Sequence, residues 1–270
     1  MKALLLSEYS KLEVADLPRP VVGAGEVLVE VAACGICGSD VHGYDGSSGR
    51  RIPPLVMGHE AAGVVAEVGE GVRGFVPGDH VTFDSTVYCG ECEFCLGGQV
   101  NLCDNRQVIG VSTPDFRRAG AFAEYVAVPE RIVYKLPAAM SFAEAAMLEA
   151  VSVALHAVVV SDVKGGETAL VIGAGMIGLL TLQAAKAAGC KRVLVADVDR
   201  TRLKLATEMG ADEILLASGS QLIEEVLRLT GGRGVDIVLE AVGRDISAVR
   251  GYTEQPSPKT GRTVSGMKIV

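Results

Sequence analysis

The sequence predicts an α/β chain in which a β-rich first domain precedes a doubly wound parallel sheet. Up to about residue 150, short β-type runs are separated by Gly and Pro. From about 160 onward, strands alternate with helices across short loops, the pattern of a parallel sheet covered on both faces. A chain of 270 residues exceeds one ordinary domain and fits two, each able to bury its own core.

The β-type runs of the first part lie at 27–32, 62–68, 80–83 and 122–128. The later strands are expected at 169–172, 192–196, 213–217 and 235–240, with apolar residues at helical spacing over 221–229. Residues 253–263 are polar and contain proline, so a loop is expected there, and 264–270 offer a fifth strand for the parallel sheet. Composition narrows the function. The chain is 49% hydrophobic and 21% charged, as a packed globular protein is. A net charge of -8 and a pI near 5.1 repel polyphosphate and anionic lipid, which argues against nucleic-acid and membrane-surface partners. The N-terminal MKALLLSEYSKLEV lacks a signal-peptide apolar region, and the apolar stretch 168–188 is broken by Gly173, Gly175 and Gly178. A cytoplasmic protein with no membrane span is therefore expected, and in that reducing setting clustered cysteines indicate metal rather than disulfides.

Four of the seven cysteines, Cys89, Cys92, Cys95 and Cys103, form a Cys-x2-Cys-x2-Cys-x7-Cys array. Two-residue gaps let thiolates on a tight turn converge on one tetrahedral ion, and four thiolates leave no open position, so a structural zinc is predicted. Further upstream, Cys37 in CGICGSDVH and His59 in GHE are good ligand types, but each alone is weak evidence, since a lone Cys or His is more often an ordinary packed residue. A third constellation, Gly173-Ala174-Gly175-Met176-Ile177-Gly178, follows an apolar strand and opens a helix. Its glycines permit a tight turn and close approach of pyrophosphate to the helix N-terminus, and Asp197 ends the next strand. Asp197 is expected to bind the adenosine ribose, so NAD is favoured over NADP, whose 2′-phosphate a carboxylate repels; Arg202 keeps NADP open.

Taken in order, Cys37, Ser39 and His42, then Gly58-His59-Glu60, then the four-cysteine lobe, then the Gly-rich turn resemble the zinc-dependent medium-chain dehydrogenases from the first residues to about 243. The resemblance implies a GroES-like catalytic domain over 1–155 with its zinc lobe at about 86–106. A Rossmann domain over 156–270, incomplete at its C-terminal end, follows, and the active cleft lies between the two. It implies that Cys37 and His59 bind a catalytic zinc with a third ligand, Glu149, as in the polyol and sorbitol dehydrogenase branch, where a Glu-Pro pair stands; here Ala150 replaces the Pro. Glu60 is the alternative or supporting carboxylate. Ser39 and His42 resemble the family's proton relay, and an Arg at the place of Arg202 packs on the adenosine side. A zinc with an open position brings loss of an alcohol proton within reach of neutral pH, and NAD accepts the hydride. The implied activity is oxidation of a secondary alcohol, a polyol or sugar alcohol, with threonine or sugar-phosphate dehydrogenase as the runner-up. Family members run to roughly 350 residues and form homo-oligomers, so a shortened chain that binds zinc and nucleotide without turnover is the reading from another class.

Overall fold

A computed structural model of the chain describes residues 1–217 and 221–242 and divides at Glu149/Ala150 into two compact units. The first unit contains strands β1 (Lys2–Glu8), β2 (Lys11–Asp16), β3 (Glu26–Gly35), β4 (Leu55–Val56), β5 (Glu60–Val68), β6 (His80–Phe83), β7 (Thr86–Val87), β8 (Gln107–Ile109), β9 (Arg117–Arg118), β10 (Tyr125–Pro129) and β11 (Val133–Lys135), with helices α1 (Gly38–Tyr44), α2 (Glu93–Leu96) and α3 (Phe142–Ala146). Its main sheet is antiparallel, in the order β10-β3-β5-β6-β11, beside two three-stranded sheets, β2-β1-β4 and β7-β8-β9. Val27, Val29, Val65, Val81, Ile109 and Val128 fill its core, all of them nearly inaccessible. The β-branched residues that predicted strands are those that pack best on a pleated, covered surface.

The run read as one strand over 122–128 is split. Phe122 C=O accepts from Leu4 N–H and Glu124 N–H donates to Lys2 C=O, so this stretch lies along β1. The ladder with β3 runs from Tyr125, opposite Glu30, and Glu124 C=O accepts from Val31 N–H at the changeover. One apolar run thus serves two sheets, which alternation within the run does not reveal.

The second unit carries α4 (Leu148–Val160), whose first two residues fall on the other side of the division, and then β12 (Thr168–Ile172), α5 (Met176–Ala187), β13 (Arg192–Asp197), α6 (Arg200–Glu208), β14 (Glu213–Leu216), α7 (Gln221–Leu229) and β15 (Ile237–Glu240). Among the described residues its four strands are parallel in the order β14-β13-β12-β15, the 3-2-1-4 arrangement of the first half of a doubly wound nucleotide-binding sheet. Leu170 and Ile172 point into one buried cluster with Leu194, Leu215, Leu222 and Val226. Ala169 and Val171 point into the other, with Leu182, Val193, Val195 and Leu239. Burial on both faces explains the near-continuous apolar run of β12. The predicted loop at 253–263 and strand at 264–270 lie outside the described residues. No described helix is long and apolar enough to cross a membrane.

Candidate metal centres and nucleotide site

Cys37 caps α1. Its Sγ accepts from Ser39 N–H at 3.3 Å, and the Asp40 carboxylate returns to Cys37 N–H at 3.1 Å, a reciprocal capping box. His59 enters from the residue before β5 and brings Nε2 to 3.3 Å from Cys37 Sγ. The other ring nitrogen, Nδ1, lies 3.6 Å from Asp40 Oδ1, a charge contact just beyond hydrogen-bond reach, and both atoms are buried without another partner. Burial alone would hold His59 neutral, but Asp40 and Cys37 outweigh it and raise the imidazole to about 10. Asp40 is itself buried, which raises a carboxyl, yet His59 and Cys37 N–H hold it below its usual value.

Ser39 Oγ sits 2.8 Å from Cys37 Sγ and 3.4 Å from His59 Nε2, and receives Arg51 Nη2 at 3.1 Å. His42 lies one turn on, along the same helix, with Nδ1 3.3 Å from Ser47 Oγ. Glu60 and Glu149 form a second group around His59: one ligand atom from each of His59, Glu60 and Glu149 falls within 4.8 Å of the others. Glu149, in the first turn of α4, accepts from Ser85 Oγ at 2.9 Å, while burial and the nearby Glu149 charge raise Glu60 against the pull of His59. The donors fit a zinc ion: a tetrahedral site with Zn–S and Zn–N bonds of about 2.3 and 2.0 Å needs sulfur and nitrogen about 3.5 Å apart. A charged imidazole paired to a carboxylate would give up its proton on metal binding, with Asp40 then orienting the ring through Nδ1.

The four-cysteine lobe is equally consistent with zinc. Cys89, Cys92, Cys95 and Cys103 bring their sulfurs within 4.8 Å of one another, with Cys89–Cys95 at 3.9 Å and Cys92–Cys95 at 3.5 Å. Thiolates around one zinc stand about 3.8 Å apart, far from the ~2.05 Å of a disulfide. Glu91 N–H and Cys92 N–H stabilise the Cys89 thiolate and lower it to about 6, whereas desolvation pushes Cys95 up to about 12. Without an ion, the four sulfurs cannot all be charged at neutral pH; a divalent cation removes that conflict.

In the second unit, Gly173 adopts φ +97° and a Cβ on Gly178 would lie 1.8 Å from Gly173 C=O, so strand, turn and helix pack through glycine alone. Gly175 caps α5, and a Cβ there would meet nothing within 4 Å, leaving open backbone at the helix N-terminus. Met176 and Ile177 form the first turn of α5. Asp197 is buried at the end of β13; Oδ2 accepts from Ala174 N–H at 2.6 Å and Oδ1 from Asp199 N–H at 2.8 Å, with Arg202 Nη1 3.9 Å away. Each oxygen keeps acceptor capacity for a sugar hydroxyl. The carboxylate therefore also braces the Gly-rich turn, a role motif spacing does not show.

Two site residues escape the sequence reading. Asp40 carries a legible signal, the N-cap-to-N3 spacing from Cys37, obscured because Cys is an unusual cap. Arg51 carries none, since an Arg-Arg pair reads as a solvated basic stretch.

Among known families, the alcohol dehydrogenase GroES-like domain matches residues 23–138 and the zinc-binding dehydrogenase domain matches 177–264. Sorbitol dehydrogenase of Bacillus subtilis (strain 168) is 37% identical over 246 residues, covering 90% of this chain and 69% of its own length. L-threonine 3-dehydrogenase of Bacillus velezensis is 39% identical over 255 residues, covering 93% and 72%. The structure of alcohol dehydrogenase TADH from Thermus sp. ATN1 superposes with a TM-score of 0.87 at 32% identity, over 93% of this chain and 73% of that one. With both its domains matched in order and relatives this similar, the chain belongs to the zinc-dependent medium-chain dehydrogenases, a family of oxidoreductases.

Proposed function

We propose that the chain is a dehydrogenase that oxidises a secondary hydroxyl of a polyol, sugar alcohol or related compound with NAD. The observation that carries this reading is that His59 stands in two adjoining groups of ligand atoms, one with Cys37 and Asp40 and one with Glu60 and Glu149, with Ser39 beside Cys37 and His59. Cys37, His59 and Glu149 hold the catalytic zinc, with Glu60 as the alternative carboxylate, and the cysteine lobe at about 86–106 holds a second, structural zinc. Zinc at the first site supplies Lewis acidity toward an alcohol oxygen. Ser39 takes the alcohol proton and His42 passes it toward solvent. Asp40 fixes the His59 ring through Nδ1.

The Gly173–Gly178 turn cradles the pyrophosphate and Asp197 receives the adenosine ribose. The Asp197 carboxylate disfavours a 2′-phosphate and thus NADP, which Arg202 at 3.9 Å only partly offsets. The catalytic domain runs over 1–155 and the nucleotide domain from 156. A cytoplasmic setting belongs to the same proposal, since all seven cysteines are free thiols.

The test combines elemental analysis of the purified 270-residue chain with an NAD reduction assay on sorbitol, galactitol and L-threonine. Two zincs per chain with turnover is the expected result. One zinc, or two without turnover on any alcohol, would leave a metal- and nucleotide-binding protein in place of the dehydrogenase.

A further inference from the structure

Arg51 is built into the site rather than solvated. It is only 7% exposed. Its stem packs over Gly43, where a Cβ would come within 2.7 Å of Arg51 Cγ and 2.9 Å of Arg51 Cβ. The backbone on either side is clamped by one residue: Ser112 N–H donates to Arg50 C=O at 3.2 Å, and Ile52 N–H donates to Ser112 Oγ. Three features thus hold this side chain in place, and an arginine kept only for solubility needs none of them.

The guanidinium has five donors, and one is used, Nη2 to Ser39 Oγ at 3.1 Å. Nε is sealed from solvent without a partner, and Nη1 makes no hydrogen bond among the described residues. Among the described residues no carboxylate forms an ion pair with Arg51 within 4.0 Å, although Asp40 and Cys37 offset part of its charge from further away. Buried guanidinium groups ordinarily fork onto a carboxylate or phosphate, because that geometry satisfies two donors and the charge together. Among the described residues no such acceptor is supplied. Its Nη2 end lies one hydroxyl, Ser39 Oγ, away from Cys37 Sγ and His59 Nε2, where the alcohol would react.

We propose that Arg51 determines specificity by binding an anionic substituent, a carboxylate or a phosphate, carried by the alcohol substrate, an inference that rests on the dehydrogenase reading above. A neutral polyol would leave the buried charge and most of its donors unmet, whereas a hydroxy acid or polyol phosphate satisfies both. Bridging to Ser39 then aligns the anion with the proton relay.

The test is isothermal titration of the zinc-loaded chain with L-threonine and galactitol 1-phosphate, and with neutral 2,3-butanediol and galactitol, in the natural protein, Arg51→Gln and Arg51→Lys. One of the two ligands that carry an anionic group, the carboxylate of zwitterionic L-threonine or the phosphate of galactitol 1-phosphate, is expected to bind the natural chain at least ten-fold tighter than its counterpart without that group, and which one does so separates carboxylate from phosphate. That ratio is expected to collapse in Arg51→Gln and to fall several-fold in Arg51→Lys, a point charge without the fork. Equal affinity for anionic and neutral ligands, an anion affinity unmoved by Arg51→Gln, or equal losses for both ligand types would overturn the proposal, the last marking a residue that only positions Ser39. If Arg51→Gln does not fold or hold zinc, Arg51→Lys decides, an unchanged ratio counting against the proposal. Titration does not depend on turnover, so failure of the dehydrogenase reading, seen as missing zinc or absent NAD reduction, is a separate result.

Discussion

Asp40 stays ionised at 2% exposure because it faces a charge-accepting imidazole on one side and a helix-capping N–H on the other. Its proposed work is indirect: it holds His59 Nδ1 so that Nε2 is aimed at Cys37. Asp40→Asn keeps the shape and the cap acceptor but removes the charge. Zinc affinity at the Cys37–His59 site, read by chelator competition, is expected to fall about 10- to 100-fold, with the cysteine-lobe zinc unaffected. Equal losses at both sites would mean a general folding defect. At this scale the sequence is legible where chemistry is concentrated in rare residue types: cysteines at ligand spacing, a His before a Glu, glycines at fixed intervals. It is illegible where an ordinary residue gains its role from burial. Arg51 beside Arg50 becomes a site residue only through the space above Gly43 and the clamp by Ser112, the second set by a segment distant in the chain.

Among the elements, the parallel strands were readable because they are buried on both faces and so remain apolar without interruption, as in Thr168–Ile172. The 122–128 run was not, because periodicity fixes which face a residue takes and says nothing of which neighbour it pairs with. Helix α5 and strand β13 are tied by Asp212, whose carboxylate accepts from Val193 N–H at 2.7 Å and from Lys186 at 3.0 Å. Burial works against its charge, but Val193 N–H and Lys186 together hold its pKa below the ordinary 3.8. A folded-state pKa below the unfolded one contributes stability that is present above 3.8 and lost as the pH falls through the folded value. Asp212→Asn is therefore expected to cost about 1 kcal/mol at pH 7, partial exposure keeping the figure modest. In urea melts taken across pH, the gap between the two proteins should begin to narrow as the pH drops below 3.8 and close below the folded-state value. A gap that persists in acid would assign the loss to packing.

For the molecule as a whole, each unit has its own core, and the two kinds of binding chemistry are divided between them: thiols, imidazole and carboxylates in the first, a glycine turn and a braced Asp in the second. Stripping zinc with a chelator is expected to open residues 86–106 to protease, since four sulfurs with conflicting ionisation lose the ion that reconciles them. Residues 168–217 should keep their protection, as measured by hydrogen exchange, because their core contains none of those sulfurs. Loss of protection in both regions together would show that the second unit depends on the metal.

Asp197 has a consequence beyond affinity. Since its two oxygens are tied to Ala174 N–H and Asp199 N–H, the Gly-rich turn is held in shape by the chain's own groups. Little chain entropy then remains to be lost on docking, so association is expected to be a single fast step governed by diffusion and orientation, with no slow ordering phase behind it.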